Sequence, residues 1–265
     1  GARFPQVSAA GRVEYRTGRM ALYTGEALVL RTYRLGESDR LVVMLTRDRG
    51  KKRGVARGGA RSRKRFGGAL EPFTHVRVAY QEREHRDLVR FEYADVLGSP
   101  LTVGGEACAY AGYFAELLDE WALENDPQER LYRLGVAVLD ALVAGGDAER
   151  LARYFEFWLL RLQGVYPSAD ACPQCGDALQ DGAVLEPRSH WFVCRRCGSH
   201  AHGVTVPAGA LRFIAESAVA PPGSLGGLLV SGEALTQLAA AHRLLLVWHL
   251  DREPRSARVL REINT

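Results

Sequence analysis

41-LVVMLTRDRGKKRGVARGGARSRKR-65 reads as a strand, a turn, a second strand and then a basic loop. Leu41 to Leu45 is a short apolar, β-branched run of the kind that fits a pleated, half-buried surface, and Arg47-Asp48-Arg49-Gly50 punctuates it as a turn. Similar runs lie on either side: Ala27 to Leu30 before it, Val76 to Tyr80 and Val89 to Tyr93 after it, with Gln81 to Asp87 a polar, hairpin-length connection. Five short strands between Tyr23 and Leu97 fit a small barrel, in which an antiparallel sheet hides its edges. With so basic a loop attached, an OB-fold is the expectation.

After Pro100 the apolar period changes from 2 to 3.6. Tyr110, Phe114, Leu117, Leu118 and Trp121 fall on one helical face; Leu131, Leu134, Val138 and Leu142 form a second stripe. Leu151, Tyr154, Phe155, Trp158 and Leu162 form a third, which stops at Gly164. The helical period returns at Leu211, Ile214 and Ala215, breaks at Pro221-Pro222, and resumes from Ala234 to about His249. Cys108 lies within a helical stripe and reads as a small buried apolar side chain.

Between the helical segments stand Cys172-Pro173-Gln174-Cys175 and Cys194-Arg195-Arg196-Cys197. Two such pairs at this separation are the pattern of a four-cysteine zinc site: each two-residue spacer folds into a tight knuckle whose thiolates converge on one ion. Gly176 and Gly198 follow the knuckles and supply backbone freedom. Four thiolates leave no open position, so one structural Zn2+ is expected. A thioredoxin-like redox reading of Cys-Pro-x-Cys leaves the second pair unexplained, and a deaminase would need a His-x-Glu that is absent. His190, His200 and His202 are the alternative ligands, otherwise ordinary surface residues. The expected architecture is thus α+β: residues 20–99 an OB-fold β-barrel, 100–167 and 205–265 an α-helical domain, and 168–204 an inserted zinc ribbon. Residues 1–19 lack a signal-peptide core, precede Met20, and are set aside as tag or upstream extension.

Residues 1–100 carry 21 Lys and Arg against 11 Asp and Glu, a net of +10 within a chain of +4, so the remainder is −6. Arg47, Arg49, Lys51, Lys52, Arg53, Arg57, Arg61, Arg63, Lys64 and Arg65 face a single acid, Asp48. Such a run either is a solvated, mobile loop or lines one face of the barrel and tracks a phosphodiester backbone. The second reading makes these ten the candidate DNA contacts, with Tyr33, Phe66, Phe73 and Tyr80 as candidate stacking partners or core. No phosphate loop, nucleophile elbow or His-Glu-x-x-His occurs, no catalytic residue can be named, and binding is favoured over catalysis. No apolar run reaches the roughly 18 to 20 residues of a membrane span.

Val55-Ala56-Arg57-Gly58-Gly59-Ala60-Arg61-Ser62, followed by Gly68-Ala69-Leu70-Glu71-Pro72-Phe73-Thr74, resembles the Val-Ala-Lys-Gly-Ala-Arg-Ser and Leu-Gln-Pro-Phe-Thr signatures of RecO proteins. The order of strand-rich start, helical middle, paired cysteines and a closing His249-Leu250 agrees from Met20 to about Ile263. The resemblance implies a non-enzymatic recombination mediator that binds single- and double-stranded DNA and anneals complementary strands. It implies RecR and single-stranded-DNA-binding protein as partners, assistance to RecA in RecF-pathway repair, and a cytoplasmic, nucleoid-associated location. It carries Arg57, Arg61 and their basic neighbours over to DNA contact and the four cysteines to zinc. The alternative is a zinc-ribbon RNA-binding or ribosome-associated protein built on the same fold.

Overall fold

A computed structural model of the chain describes residues 6–7, 13–17, 20–199 and 202–263. Two short strands, β1 (Gln6–Val7) and β2 (Val13–Thr17), precede a sixteen-residue strand β3 (Met20–Leu35). The segment 13–17, set aside on sequence grounds, pairs antiparallel with the start of β3. Then follow β4 (Asp39–Thr46), β5 (Gly50–Ala56), one helical turn α1 (Arg63–Phe66), β6 (His75–Arg83) and β7 (Val89–Gly98).

The pairing order β3-β4-β5-β7-β6 returns to β3, so the sheet closes on itself. β5 and β7 pair in parallel while the other neighbours are antiparallel, and α1 lies between the third and fourth barrel strands. This is a five-stranded OB-fold barrel. Not all its strands are short, as the sequence pattern suggested: β3 pairs with β6 through residues 20–28 and with β4 through 27–35, with a register shift between Val29 and Arg31. A bent strand that serves two neighbours in succession is what lets so few strands close. Gly54 permits the parallel contact, because a Cβ there would lie 2.3 Å from the Val89 carbonyl oxygen.

The barrel interior is apolar, built from the inward positions Val29, Val42, Met44, Val78, Tyr80 and Phe91. Its signature motif Leu70–Thr74 is a packing device: the Phe73 N–H donates to the Val29 carbonyl at 2.7 Å, the Val29 N–H to that of Thr74 at 3.0 Å. Phe73 sits at φ 60° and buries its ring 5.5 Å from Phe114. Phe114 belongs to α2 (Gly105–Trp121), which with α3 (Glu129–Val143) joins the barrel in one compact unit ending at Val143. Gly135 brings α3 close, since a Cβ there would meet Leu28 at 2.5 Å and Leu118 at 2.9 Å. The compact units therefore divide between α3 and α4, not where the barrel ends. Cys108, on α2, is half-buried rather than a core residue, its thiol 3.6 Å from the Pro100 carbonyl oxygen.

The second unit, from Ala144, contains α4 (Ala148–Leu162), a three-stranded sheet of β8 (Gly182–Leu185), β9 (Phe192–Val193) and β10 (Val204–Pro207) in the order β10-β8-β9, and helices α5 (Ala208–Ser217), α6 (Gly232–Leu250) and α7 (Arg255–Ile263). A buried polar chain joins α4, α6 and the segment that leads into the ribbon. Arg153 donates to Glu156 at 2.9 Å, Glu156 accepts from Nδ1 of His242 at 2.9 Å, and the Tyr166 hydroxyl donates to His242 Nε2 at 2.9 Å. The carboxylate can only accept, so it fixes the proton on Nδ1. Tyr166 also packs its ring edge-on against Phe157 of α4 and Phe192 of β9, at 4.9 and 5.9 Å.

Candidate nucleic-acid interface and metal centre

The ten basic residues separate into two groups once β5 is in place. Along β5 the side chains alternate: Gly54 and Ala56 face inward with Lys52, while Lys51, Arg53 and Val55 face outward. Lys52 is 6% exposed and its ammonium binds Glu82 and, at 2.8 Å, Asn125. Lys51 donates to the Asp119 carbonyl at 2.7 Å and to its carboxylate at 3.2 Å. Arg47 lies 3.5 Å from Glu129 and 3.9 Å from Glu26, and Arg49 stacks 3.7 Å above the Tyr23 ring. Arg49, Lys51 and Lys52 are engaged within the fold, whereas Arg47 stays exposed and its two ion pairs, between side chains largely in solvent, hold weakly. Of the ten expected DNA contacts, Lys52 is the one that the fold buries and pairs.

Arg53, Arg57, Arg61, Arg63 and Lys64 are exposed. Arg65, half-buried, donates to the Arg57 carbonyl and lies over Phe66, so it braces the loop. The loop itself is held against the β3–β4 hairpin: the Gly58 N–H donates to Asp39 at 2.8 Å, and that of Ala60 to the Ser38 carbonyl at 2.9 Å. Gly58 takes φ 67°, a conformation a side chain would resist, so the signature glycine shapes the loop that presents Arg57 and Arg61. Arg61 reaches Glu37 at 3.6 Å, but both side chains are largely in solvent and such a pair holds weakly.

The outer faces of β3, β4 and β5 line a groove of about 520 Å3. Its walls bring together Arg31, Tyr33, Leu41, Val43 and Arg53, and on the far side Asp119, Glu120 and Glu124. Arg31 spans Asp119 at 2.5 Å and Glu120 at 3.0 Å. Sequence reasoning missed Arg31 and these acids: the cation stands outside the dense basic run, and its partners are 88 or more positions away in the chain. Among the four candidate aromatics, Phe66, Phe73 and Tyr80 are core, and Tyr33, 47% exposed, is the one that opens to solvent.

In the second unit the four sulfurs Cys172, Cys175, Cys194 and Cys197 lie within 4.8 Å of one another, and all five cysteines are free thiols. The Cys175–Cys194 separation of 3.7 Å matches the edge, about 3.8 Å, of a tetrahedron with metal–sulfur bonds of about 2.3 Å. Each knuckle closes alike: the Gly176 N–H donates to the Cys172 carbonyl and that of Gly198 to the Cys194 carbonyl, both at 2.8 Å. The two glycines serve different ends. Gly176 needs its left-handed φ of 78°, whereas Gly198 makes room, since a Cβ there would come within 2.9 Å of Val184.

Burial pushes the Cys172 thiol up, but backbone hydrogen bonds at Cys194, Gln174 and Cys175 outweigh it and bring it down to about 6. Hydrogen bonds with the Cys194 and Cys175 thiols push Cys197 up to about 12. Thiols this close compete for ionisation until a cation takes up their charge, so the donor set fits a bound metal ion. His190 is not among the ligands: its ring stacks on Trp248 at 3.4 Å. His202 is exposed and is not part of the cluster, and His200 lies outside the described residues.

Two family models match the chain, Recombination protein O N terminal over residues 20–100 and Recombination protein O C terminal over residues 104–258. Among curated proteins, a "DNA repair protein RecO" of Anaeromyxobacter sp. (strain Fw109-5) is 38% identical, across 89% of this chain and 94% of the relative. Those of Koribacter versatilis (strain Ellin345) and Geobacter metallireducens (strain ATCC 53774 / DSM 7210 / GS-15) are 43% and 34% identical, across 65% and 90% of this chain and 71% and 96% of the relatives.

Proposed function

Because the chain belongs to the RecO family of DNA repair and recombination proteins, we propose that it is a non-enzymatic mediator that holds DNA on the outer face of its barrel. It binds single- and double-stranded DNA, anneals complementary strands, and with RecR helps load RecA onto DNA coated by single-stranded-DNA-binding protein. The observation that carries the reading is the placement of exposed Arg53, Arg57, Arg61, Arg63 and Lys64 on and beside the second and third strands of an OB barrel, the face this fold offers to oligonucleotides. Basic side chains neutralise the phosphates of one strand and lower its repulsion for a second, while contacts made to the backbone leave base edges free to pair.

The acidic remainder of the chain, net −6 after residue 100, is the proposed platform for the protein partners. No helix among the described residues is long and apolar enough to cross a membrane, and we place the protein with DNA in the bacterial cytoplasm. The ion held by Cys172, Cys175, Cys194 and Cys197 is proposed to be one Zn2+, which with four thiolates braces the ribbon and has no position left for a substrate. A strand-annealing assay tests the central claim: complementary oligonucleotides should pair faster with the protein at low salt, equally with and without ATP. No acceleration, or strict dependence on ATP, would overturn it.

A further inference from the structure

The turn joining β8 to β9 carries rings that the core of its unit does not absorb. Glu186 and Trp191 close this hairpin, the Glu186 N–H donating to the Trp191 carbonyl at 2.9 Å and the His190 N–H to the Glu186 carbonyl at 3.0 Å. Between them the chain reverses through His190 at φ 61°, a backbone region that non-glycine residues seldom occupy. The reversal lays the His190 imidazole flat on Trp248 of α6, with 3.4 Å between ring centroids and 14° between planes, and His249 stands edge-on to it at 6.4 Å. Phe192 turns inward onto Tyr166, so Trp191, its neighbour, projects to the opposite side and is 53% exposed. Arg188, at the tip of the same turn, is also exposed.

We propose that this hairpin tip is a second nucleic-acid contact, which takes unpaired bases of single-stranded DNA by stacking on Trp191, with Arg188 meeting the adjacent phosphate. The inference rests on the reading that the chain binds DNA. An open indole three residues from an exposed arginine, on a turn pinned by the His190–Trp248 ring stack, offers a π-surface of the kind that bases of any sequence can use. A protein partner would ask for a contiguous apolar patch around the anchor. The other exposed large hydrophobics of this unit stand on other elements, Val219 and Leu229 between α5 and α6 and Val259 on α7. The cysteine quartet holds the base of the hairpin, since Phe192 and Val193 lead directly into Cys194. Stacking covers the flat face of a base and leaves its pairing edge free, which suits a protein that must present one strand to another. Because the contact uses one cation, its affinity should change little with salt, unlike that of the barrel face.

The test is a titration of the full-length, metal-loaded protein with an oligothymidylate, read by tryptophan fluorescence and by anisotropy of a labelled strand, at low salt and at a salt concentration that screens the barrel. The single strand should quench the wild type at both, and a duplex of equal length should quench far less. Trp191→Ala should remove the quench and weaken high-salt binding about 5- to 100-fold, the worth of a stacked base. Trp191→Phe should restore most of the affinity. Metal content and thermal midpoint should be those of the wild type. Unchanged high-salt affinity in Trp191→Ala, or equal quenching by duplex, overturns the inference; so does loss of binding to a protein partner with nucleic-acid affinity intact. If Trp191→Ala is silent while low-salt binding keeps its steep salt dependence, the tip alone is refuted. If the wild type binds no nucleic acid at low salt, the functional reading itself has failed.

Discussion

Lys52 and Arg53 are chain neighbours of the same charge, and the alternation of one strand gives them opposite tasks. Lys52→Ala strands Glu82 and Asn125 in a partly buried site and should cost about 1–3 kcal/mol of stability, whereas Arg53→Ala should fall within about 0.5 kcal/mol of the wild type; urea denaturation separates them. Nothing in a run of lysines and arginines tells which are inward, because that depends on the register of β5 against β4 and β7. The cysteines were legible because two-residue spacers fix their geometry locally. His242 was not, since its partners Glu156 and Tyr166 are 86 and 76 positions distant. Burial lowers its pKa, with Arg153 adding to the effect and Glu156 opposing it. The unfolded chain titrates near about 6.5, so on acidification below that pH it takes up a proton that the fold refuses, and stability falls until the lower folded pKa is passed. His75 and His249 shift the same way, also through burial. Urea midpoints at pH about 7 and about 5.5 should therefore show a loss in the wild type that is shallower, though not absent, in His242→Asn. An equal loss in both would show that this histidine does not carry its share.

At the scale of elements, one glycine and the proposed metal can each be put to the test. Gly54→Val would drive a side chain into the Val89 backbone and part the only parallel pairing of the barrel, β5 with β7, at a cost of about 3 kcal/mol or more in thermal or urea unfolding. For the ribbon, elemental analysis should find one zinc per chain. Chelation, or Cys194→Ser, should release it and expose the amides of β8 and β9 to hydrogen exchange, with those of the barrel unaffected. Protection of the ribbon amides unchanged by chelation would count against a bracing metal. Barrel strands and long helices were readable from periodicity, which is a local property. The length of β3 was not, because its first half is defined by pairing with β6 and β2, which lie elsewhere in the chain, and α7 showed no stripe of its own because its nine residues carry three arginines and no wide apolar face.

For the whole molecule the steepest observable is salt. Five of the exposed cations, Arg53, Arg57, Arg61, Arg63 and Lys64, at about −0.7 per phosphate contact give a slope of about −3.5 in log affinity against log salt for single-stranded DNA. Replacing all five with alanine should flatten it while leaving the unfolding midpoint in place, and a wild-type slope near zero would refute the interface. The order of barrel, helices and inserted ribbon was legible as changes of period along the chain. Where the compact units divide was not, because the claim of α2 and α3 on the barrel is made by side chains such as Phe114 and by Gly135, which meets Leu28. The two-sided pairing of β3 also sets a timetable for synthesis. Met20 must wait for Arg83, 63 positions later, before its half of the strand has an antiparallel neighbour in the barrel, and β5 waits for β7. At about 5–20 residues per second, a nascent β3 spends several seconds with that edge open to other chains, so the barrel should be slow to close and its misfolding should worsen with the rate and crowding of translation.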